Sequence, residues 1–353
     1  VKYPYIREFS STLVNWYYKE KRDLPWRHTT DPYKIWVSEV MLQQTRVDTV
    51  IPYYHRFINK YPTLESLAYA PQEELLKMWE GLGYYSRARN LQTGVREVVE
   101  KYNSKVPNNR HDITKLKGVG PYTAGAILSI AYNEPEHAVD GNVMRVLSRV
   151  LHIKEDIALP KTKKVFEEAV TQLIFKKDPG SFNQALMDLG AQICTPTSPK
   201  CLLCPVREYC LAFQEGKPEE LPIKSKKQKN KKIKYDIYIA IDEDGKYLLQ
   251  KRPSEGLLAN MWEFPMIEIE KENILKSYEI FQKSYDLNIT DFLNDQLLKF
   301  KHVFSHLTWE MDCHLVQVQK TSKLPKDSNF YSIDEITKLP MSVPMLRILN
   351  ILK

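Results

Sequence analysis

The sequence predicts a two-domain protein, an all-helical domain followed by an α+β domain, and three observations carry that reading. Apolar residues recur at three- and four-residue steps up to about residue 212, and at a period of two beyond a lysine-rich stretch that ends near residue 233. A length of 353 residues is more than one core usually serves. Hydrophobic residues at 43% and charged residues at 27% place both parts among globular chains that can bury substantial cores.

The elements follow in order. In SEVMLQQTRVDTVIPYYHRFI, Val40, Val47, Val50, Ile51, Tyr54, Phe57 and Ile58 share one face of a single helix. Further helical stretches are PQEELLKMWEGL, SRARNLQTGVREVVEKY, YTAGAILSIAY, NVMRVLSRVL and KKVFEEAVTQLIF. Turn signals separate them at Asp31-Pro32, Gly81 to Gly83, Gly118 to Pro121 and Asp178-Pro179-Gly180. Beyond the lysines, YDIYIAI and KYLLQKR alternate around Glu243-Asp244-Gly245 and predict a hairpin. The remainder mixes strands such as HLVQVQ with helical pieces such as ENILKSYEIFQKSY. The expected organisation is a helical domain at 1–212, a basic linker at 213–233 and an α+β domain at 234–353.

Charge is uneven along the chain. Residues 235–353 hold 14 Lys/Arg against 18 Asp/Glu, which leaves 37 against 26 on residues 1–234, so the first two-thirds can attract a polyanion. Seven lysines lie in KSKKQKNKKIK, between Lys224 and Lys234, a stretch that reads either as a solvated linker or as a nucleic-acid contact. No run approaches the roughly 18 apolar residues of a membrane span. The start, VKYPYIREFS, is charged and aromatic rather than signal-like. With the short linker, this suits a bacterial cytoplasm, associated with the nucleoid, and a monomer with no membrane partner.

Four of the five cysteines, Cys194, Cys201, Cys204 and Cys210, crowd into one short segment and read as metal ligands. Four thiolates meet the requirement of a 4Fe-4S cluster, whereas a zinc ribbon more often shows two separate CxxC pairs. Cys313, alone in the second domain, reads as a core residue. Leu116-Lys117-Gly118-Val119-Gly120-Pro121-Tyr122 is a glycine turn leading into a helix with proline near its first position. Gly118 and Gly120 let backbone N–H groups approach a phosphate, and the helix N-terminus adds partial positive charge. Asp140, about twenty residues downstream, opens the next helical run. On spacing alone it is an N-cap.

The hairpin, the later aspartate and the Cys-x6-Cys-x2-Cys-x5-Cys loop together resemble the endonuclease III superfamily of helix-hairpin-helix DNA glycosylases. Leu24-Pro25-Trp26-Arg27, Ser38-Glu39-Val40-Met41-Leu42-Gln43-Gln44-Thr45 and Gly118-Val119-Gly120-Pro121-Tyr122-Thr123-Ala124-Gly125 are similar to its MutY-type adenine DNA glycosylase branch. So are Gly256-Leu257-Leu258-Ala259-Asn260-Met261-Trp262-Glu263-Phe264-Pro265 and Phe304-Ser305-His306, which carry the likeness through the second domain. Lys117 departs from the proline usual in that family.

The resemblance implies a six-helix barrel at about 25–130 and an iron-sulfur lobe at about 1–24 and 131–212, with duplex DNA between them and a Nudix-like lesion-recognition domain behind. The segment from Glu268 to Asp286 lacks the carboxylate set of a Nudix hydrolase, so that domain reads as a binding module. The implied reaction is removal of adenine mispaired with 8-oxoguanine or guanine during base excision repair. Breaking a nucleoside C–N bond calls for two carboxylates in different environments. Glu39, read as opening an apolar helix, is the expected general acid, and Asp140 the group that stabilises the oxocarbenium-like sugar, aided by Tyr122 and Asn142.

The adenine must be rotated out of the stack. Trp26, Arg27 and Leu42 are expected to line its pocket, while Gln44, Thr45 and the turn of Leu82, Gly83 and Tyr84 enter the duplex. For 8-oxoguanine, oxidation places a hydrogen on N7, which Ser305, held by Phe304 and His306, is expected to meet as acceptor. Two competing readings keep the same cluster. A bifunctional glycosylase/lyase for oxidised pyrimidines needs a lysine where Tyr122 stands, and a non-enzymatic iron-sulfur protein needs Glu39 and Asp140 only as helix caps.

Overall fold

A computed structural model describes residues 3–225, 230–269, 276–320 and 323–353. Part of the lysine run and the start of the ENILKSYEIFQKSY stretch lie outside the described residues. The chain divides into two compact units, one of Val1–Tyr69 and Asn90–Lys226, the other of Ala70–Arg89 and Lys227–Lys353.

The first unit is helical. Its helices include Ile6–Glu20, Pro32–Leu42, Val47–Lys60, Pro121–Tyr132, Gly141–Val150, Thr162–Leu173 and Pro179–Gln192. Three of them start on an aspartate whose carboxylate takes a first-turn amide: Asp31 from Tyr33, Asp140 from Val143 and Asp178 from Ser181. Such a cap stabilises a helix by about 1 kcal/mol. Phe9, Leu13, Val143, Leu147, Phe166 and Phe182 share one core with Val206 and Leu221, which binds the first helix to the cysteine segment.

The single helix expected across residues 38–58 is two helices. Gln43 ends the Pro32–Leu42 helix, and Gln44 adopts a left-handed conformation at φ +57°, before the chain resumes at Val47. Glu39 therefore stands in the last turn of its helix, not at its start.

Part of the supposed linker is ordered against the first unit. Leu221 is buried, its carbonyl accepts from Arg149, and Ile157 donates to the Ile223 carbonyl. At the other end, Lys231 to Ile233 already belong to a strand.

The second unit is a seven-stranded sheet among the described residues, with helices on both faces. Its strands are β1 Lys231–Ile241, β2 Tyr247–Lys251, β3 Trp262–Glu263, β4 Met266–Glu268, β5 Leu287–Val303, β6 Leu307–Lys320 and β7 Ser328–Tyr331. The order is β3-β2-β1-β6-β5, with β4 paired to β1 and β7 to β2; β1 and β6 run parallel and the other pairs antiparallel. The hairpin around Asp242 to Lys246 is present. Along β1, Ile237 and Ile239 pack with the Val343–Leu352 helix, while Tyr238 and Ala240 pack with the Ser277–Tyr285 helix. A continuous apolar run is the mark of a strand buried on both faces. Cys313 is a core residue of this unit.

Residues 70–89, expected within the helical domain, fold with this sheet. The Gln72–Met78 helix supplies Glu73, which accepts from the Trp262 indole at 2.6 Å, and Glu80 just beyond it accepts from the Met341 amide at 2.9 Å. Helical periodicity shows that a segment has an inner face, not which core that face meets. Among the described residues no helix is long and apolar enough to cross a membrane.

Candidate active site

A pocket in the first unit collects Trp26, Arg27, Glu39, Leu42, Thr45, Tyr122, Asp140 and Asn142. Glu39 is 6% exposed. Burial raises its pKa to about 7, the negative charge of Asp140 adds to the rise, and the Tyr122 hydroxyl and Arg27 oppose it. The carbonyl end of a helix is a further unfavourable place for an anion. Tyr122 Oη donates to Glu39 Oε2 at 2.6 Å. A carboxyl titrating near neutrality can hold a proton and give it up, as a general acid must.

Asp140 reaches the pocket from the first turn of Gly141–Val150 because it caps that helix. Its Oδ1 accepts from the Val143 amide at 2.7 Å and its Oδ2 from Asn142 Nδ2 at 3.0 Å. Burial pushes its pKa up, while these bonds and the Arg145 charge pull it down. The cap explains the position of Asp140 and leaves its carboxylate at the pocket, so capping and chemistry are compatible.

Trp26 both packs, edge-on against Tyr54, and lines the pocket. Arg27 is gripped by Asp188: Nη1 lies 2.7 Å from Oδ2 and Nη2 2.9 Å from Oδ1. Arg22 donates to the same buried carboxylate. Asp188, Arg22, Gln184 and Met187 line the pocket and were not singled out from sequence. The Asp178-Pro179-Gly180 signal marked only a turn, although it opens the helix carrying three of them. Gln44 is not among the pocket's lining residues, whereas Thr45 is.

In the glycine hairpin, Gly118 has φ +78°, and a Cβ there would stand 2.9 Å from Asn90 Cβ, so a side chain is excluded twice over. Gly120 caps Pro121–Tyr132 with open space where a Cβ would be, so its backbone is approachable. Gly125 lets this helix meet the chain at His137, whose carbonyl would be 1.7 Å from an added Cβ.

The four cysteines line a common cavity with Arg149 and Arg207. Among the described residues no three His, Cys, Asp or Glu side chains converge to hold a single metal ion. Burial pushes Cys204 up to about 12 and Cys210 to about 11, with the neighbouring cysteines adding to both. Thiols so crowded ionise together only around compensating positive charge, which the irons of a cluster supply. Buried Arg149 donates to Cys194 Sγ at 3.2 Å. Arg145 bonds the Cys194 carbonyl at 2.8 Å and Asn142 Oδ1 at 2.9 Å, so hydrogen bonds run from the cysteine loop to Asp140.

In the second unit, Phe304, Ser305 and His306 form the turn between β5 and β6, closed by the Phe304 amide on the Leu307 carbonyl. Phe304 packs against Trp309, while Ser305 and His306 are exposed, their side chains 3.2 Å apart. They line a cleft with Leu82, Gly83, Tyr84 and Leu257. Leu82 is buried, whereas Tyr84 is 44% exposed.

Comparison with known proteins matches residues 37–174 to the family described as HhH-GPD superfamily base excision DNA repair protein, residues 194–210 to the iron-sulfur binding domain of endonuclease III, and residues 237–350 to the NUDIX domain. An adenine DNA glycosylase of Mus musculus is 34% identical, the match covering 97% of this chain and 77% of that protein. One from Buchnera aphidicola subsp. Schizaphis graminum is 34% identical over 99% of both. Among solved structures, a thermostable thymine-DNA glycosylase has 32% identity and a TM-score of 0.55, covering 60% of this chain and 97% of that one. An endonuclease III trapped as a covalent intermediate with DNA has 27% identity and a TM-score of 0.51, covering 60% and 96%.

Proposed function

The chain belongs to the adenine DNA glycosylases, and from that premise we propose that it excises adenine opposite 8-oxoguanine or guanine and leaves the strand intact. It is a DNA N-glycosylase of base excision repair and carries a 4Fe-4S cluster, for which Cys194, Cys201, Cys204 and Cys210 are the proposed ligands. The cluster supplies a charge-compensated anchor for the cysteine loop.

The observation that carries the mechanism is the Glu39 carboxyl, buried so that its pKa is pushed up to about 7, in one pocket with Asp140. Adenine is turned out of the duplex into this pocket, against Trp26, Arg27 and Leu42. Glu39 delivers a proton to adenine N7, which makes the base a neutral leaving group. Asp140, held by Val143 and Asn142, stabilises the cationic sugar left behind until water attacks it. Tyr122 holds Glu39 in place, and Asn142 positions Asp140.

Gly118 and Gly120 bind the DNA backbone through their amides, and Thr45, Gln44, Gly83 and Tyr84 occupy the opened duplex. Buried Leu82 supports that turn from within. Phe304 seats the loop on which Ser305 and His306 meet the lesion, the serine oxygen accepting the N7 hydrogen that guanine lacks. A hydrogen-bonding base-edge contact of this kind discriminates by roughly 1–3 kcal/mol.

A lyase needs an amine to form a Schiff base with the sugar, and the hydroxyl of Tyr122 cannot form one. The test is adenine release from duplexes with A opposite 8-oxoguanine and A opposite T. Release from the first alone, with no strand break before alkali and no borohydride-trapped complex, is expected. Tyr122→Lys should introduce trapping beside Asp140. Efficient trappable nicking by the unaltered protein overturns the monofunctional reading.

A further inference from the structure

Three residues of the turn Gly81-Leu82-Gly83-Tyr84 are left-handed. Gly81 has φ +96° and Gly83 +69°, which glycine tolerates, but Tyr84 follows at +47°. A left-handed conformation is strained for a residue that carries a side chain. The Tyr84 carbonyl accepts from the Arg87 amide at 2.9 Å, and the Leu82, Gly83 and Tyr84 carbonyls all receive side-chain donors besides.

Arg87 supplies them. Its Nη2 donates to the Leu82 carbonyl at 3.1 Å and the Gly83 carbonyl at 3.0 Å, and its Nε to the Tyr84 carbonyl at 3.4 Å. The guanidinium lies 5.4 Å from the ring centroid of Trp79 and 5.6 Å from that of Tyr84. The Trp79 indole also donates to the Gly83 carbonyl, at 3.2 Å.

The location makes this assignment specific. Arg87 is the second residue of the Ser86–Lys101 helix, and a cation near a helix N-terminus is electrostatically misplaced. Burial also disfavours its charge, lowering its pKa to about 10. Both costs are offset by the three carbonyls and the two aromatic faces. A planar fork of donors fits three converging carbonyls in a way a lysine ammonium cannot.

We propose that Arg87 is a positioning residue that presets the Gly83-Tyr84 tip for insertion into the duplex, without itself touching the base or sugar. The proposal rests on the adenine-glycosylase reading of Tyr84 as the residue that fills the opened stack. A preset tip opens the duplex without an ordering cost at the moment of insertion. A loose tip must be ordered and inserted together.

The experiment compares single-turnover adenine excision on two duplexes: one fully paired with A opposite 8-oxoguanine, and one with the target adenine in a single-nucleotide bulge, where extrusion is easy. Melting curves check that each variant is folded. Arg87→Met, which keeps the stem and loses every donor, should slow excision from the paired duplex on the order of 10- to 100-fold, and should act far less on the bulge. Arg87→Lys should fall between. If Arg87→Met is unfolded, Arg87→Lys carries the same comparison.

Equal losses on both duplexes, or no loss on either, overturn the proposal. Tyr84→Ala separates it from the reading beneath it. Unimpaired excision by Tyr84→Ala sinks the insertion role of the turn, whereas an impaired Tyr84→Ala beside an unimpaired Arg87→Met sinks only the role of Arg87.

Discussion

The Glu39 pocket of the first unit and the β5–β6 turn of the second are polar in opposite ways. Around Glu39 the polar side chains are held by bonds within the protein: Tyr122 holds Glu39, Val143 and Asn142 hold Asp140, and Asp188 holds Arg27. Ser305 and His306 lie exposed, their side chains 3.2 Å apart. Chemistry on a C–N bond needs a proton kept in place at neutral pH, which burial provides. Reading a base edge needs donors and acceptors still free to pair. Fixed geometry thus belongs to the first site, and access to the second.

The sharpest way to break this comparison is Glu39→Gln. The amide keeps the shape and the Tyr122 contact but has no acidic proton. Excision should fall by about 100- to 10,000-fold or more, with duplex affinity retained. Single-turnover rates near those of the unaltered protein remove Glu39 from the mechanism.

At the open site the effect should be smaller and of another kind. Ser305→Ala with His306→Ala should narrow the binding preference for 8-oxoguanine over guanine opposite A by roughly 1–3 kcal/mol. The rate of base release from the bound duplex should change much less. Full retention of the preference in competition binding makes the loop structural and places the sensor elsewhere.

The two sites were unequally legible in the sequence. Asp140 was readable as a cap because N-capping is a local rule, and the four cysteines because ligand spacing is local too. The position of Glu39 within its helix was not readable. Apolar spacing runs on through Gln43 to Arg46, and the break is made by a left-handed glutamine rather than by glycine or proline. Asp188 gave no signal, since its importance lies in a pairing with Arg27 across 161 residues of chain. The long parallel pairing of β1 with β6 and the extended, bulged β5 are likewise products of tertiary pairing. So is the folding of residues 70–89 with the sheet, which rests on side-chain bonds such as Glu73 to Trp262.

The smallest expected effect tests the closed site most finely. If Glu39 is the acid, excision requires its protonated form. Its pKa of about 7 in the folded protein sets a limb on which the rate falls as pH rises beyond that value, tenfold per unit once the carboxylate predominates. Below that limb the acid is already charged with its proton, and further acidification adds nothing through this group. Tyr122 donates to the carboxylate and favours the ionised form, which lowers the pKa against the larger, opposite effect of burial. Tyr122→Phe removes that donor and keeps the ring, so the limb should move to higher pH, and at pH 8 the variant should retain a larger fraction of its own plateau rate than the unaltered protein. The absolute plateau can fall, because the acid is also less well held. A limb that stays in place, or moves to lower pH, would mean that the titrating group is not the carboxyl bonded to Tyr122.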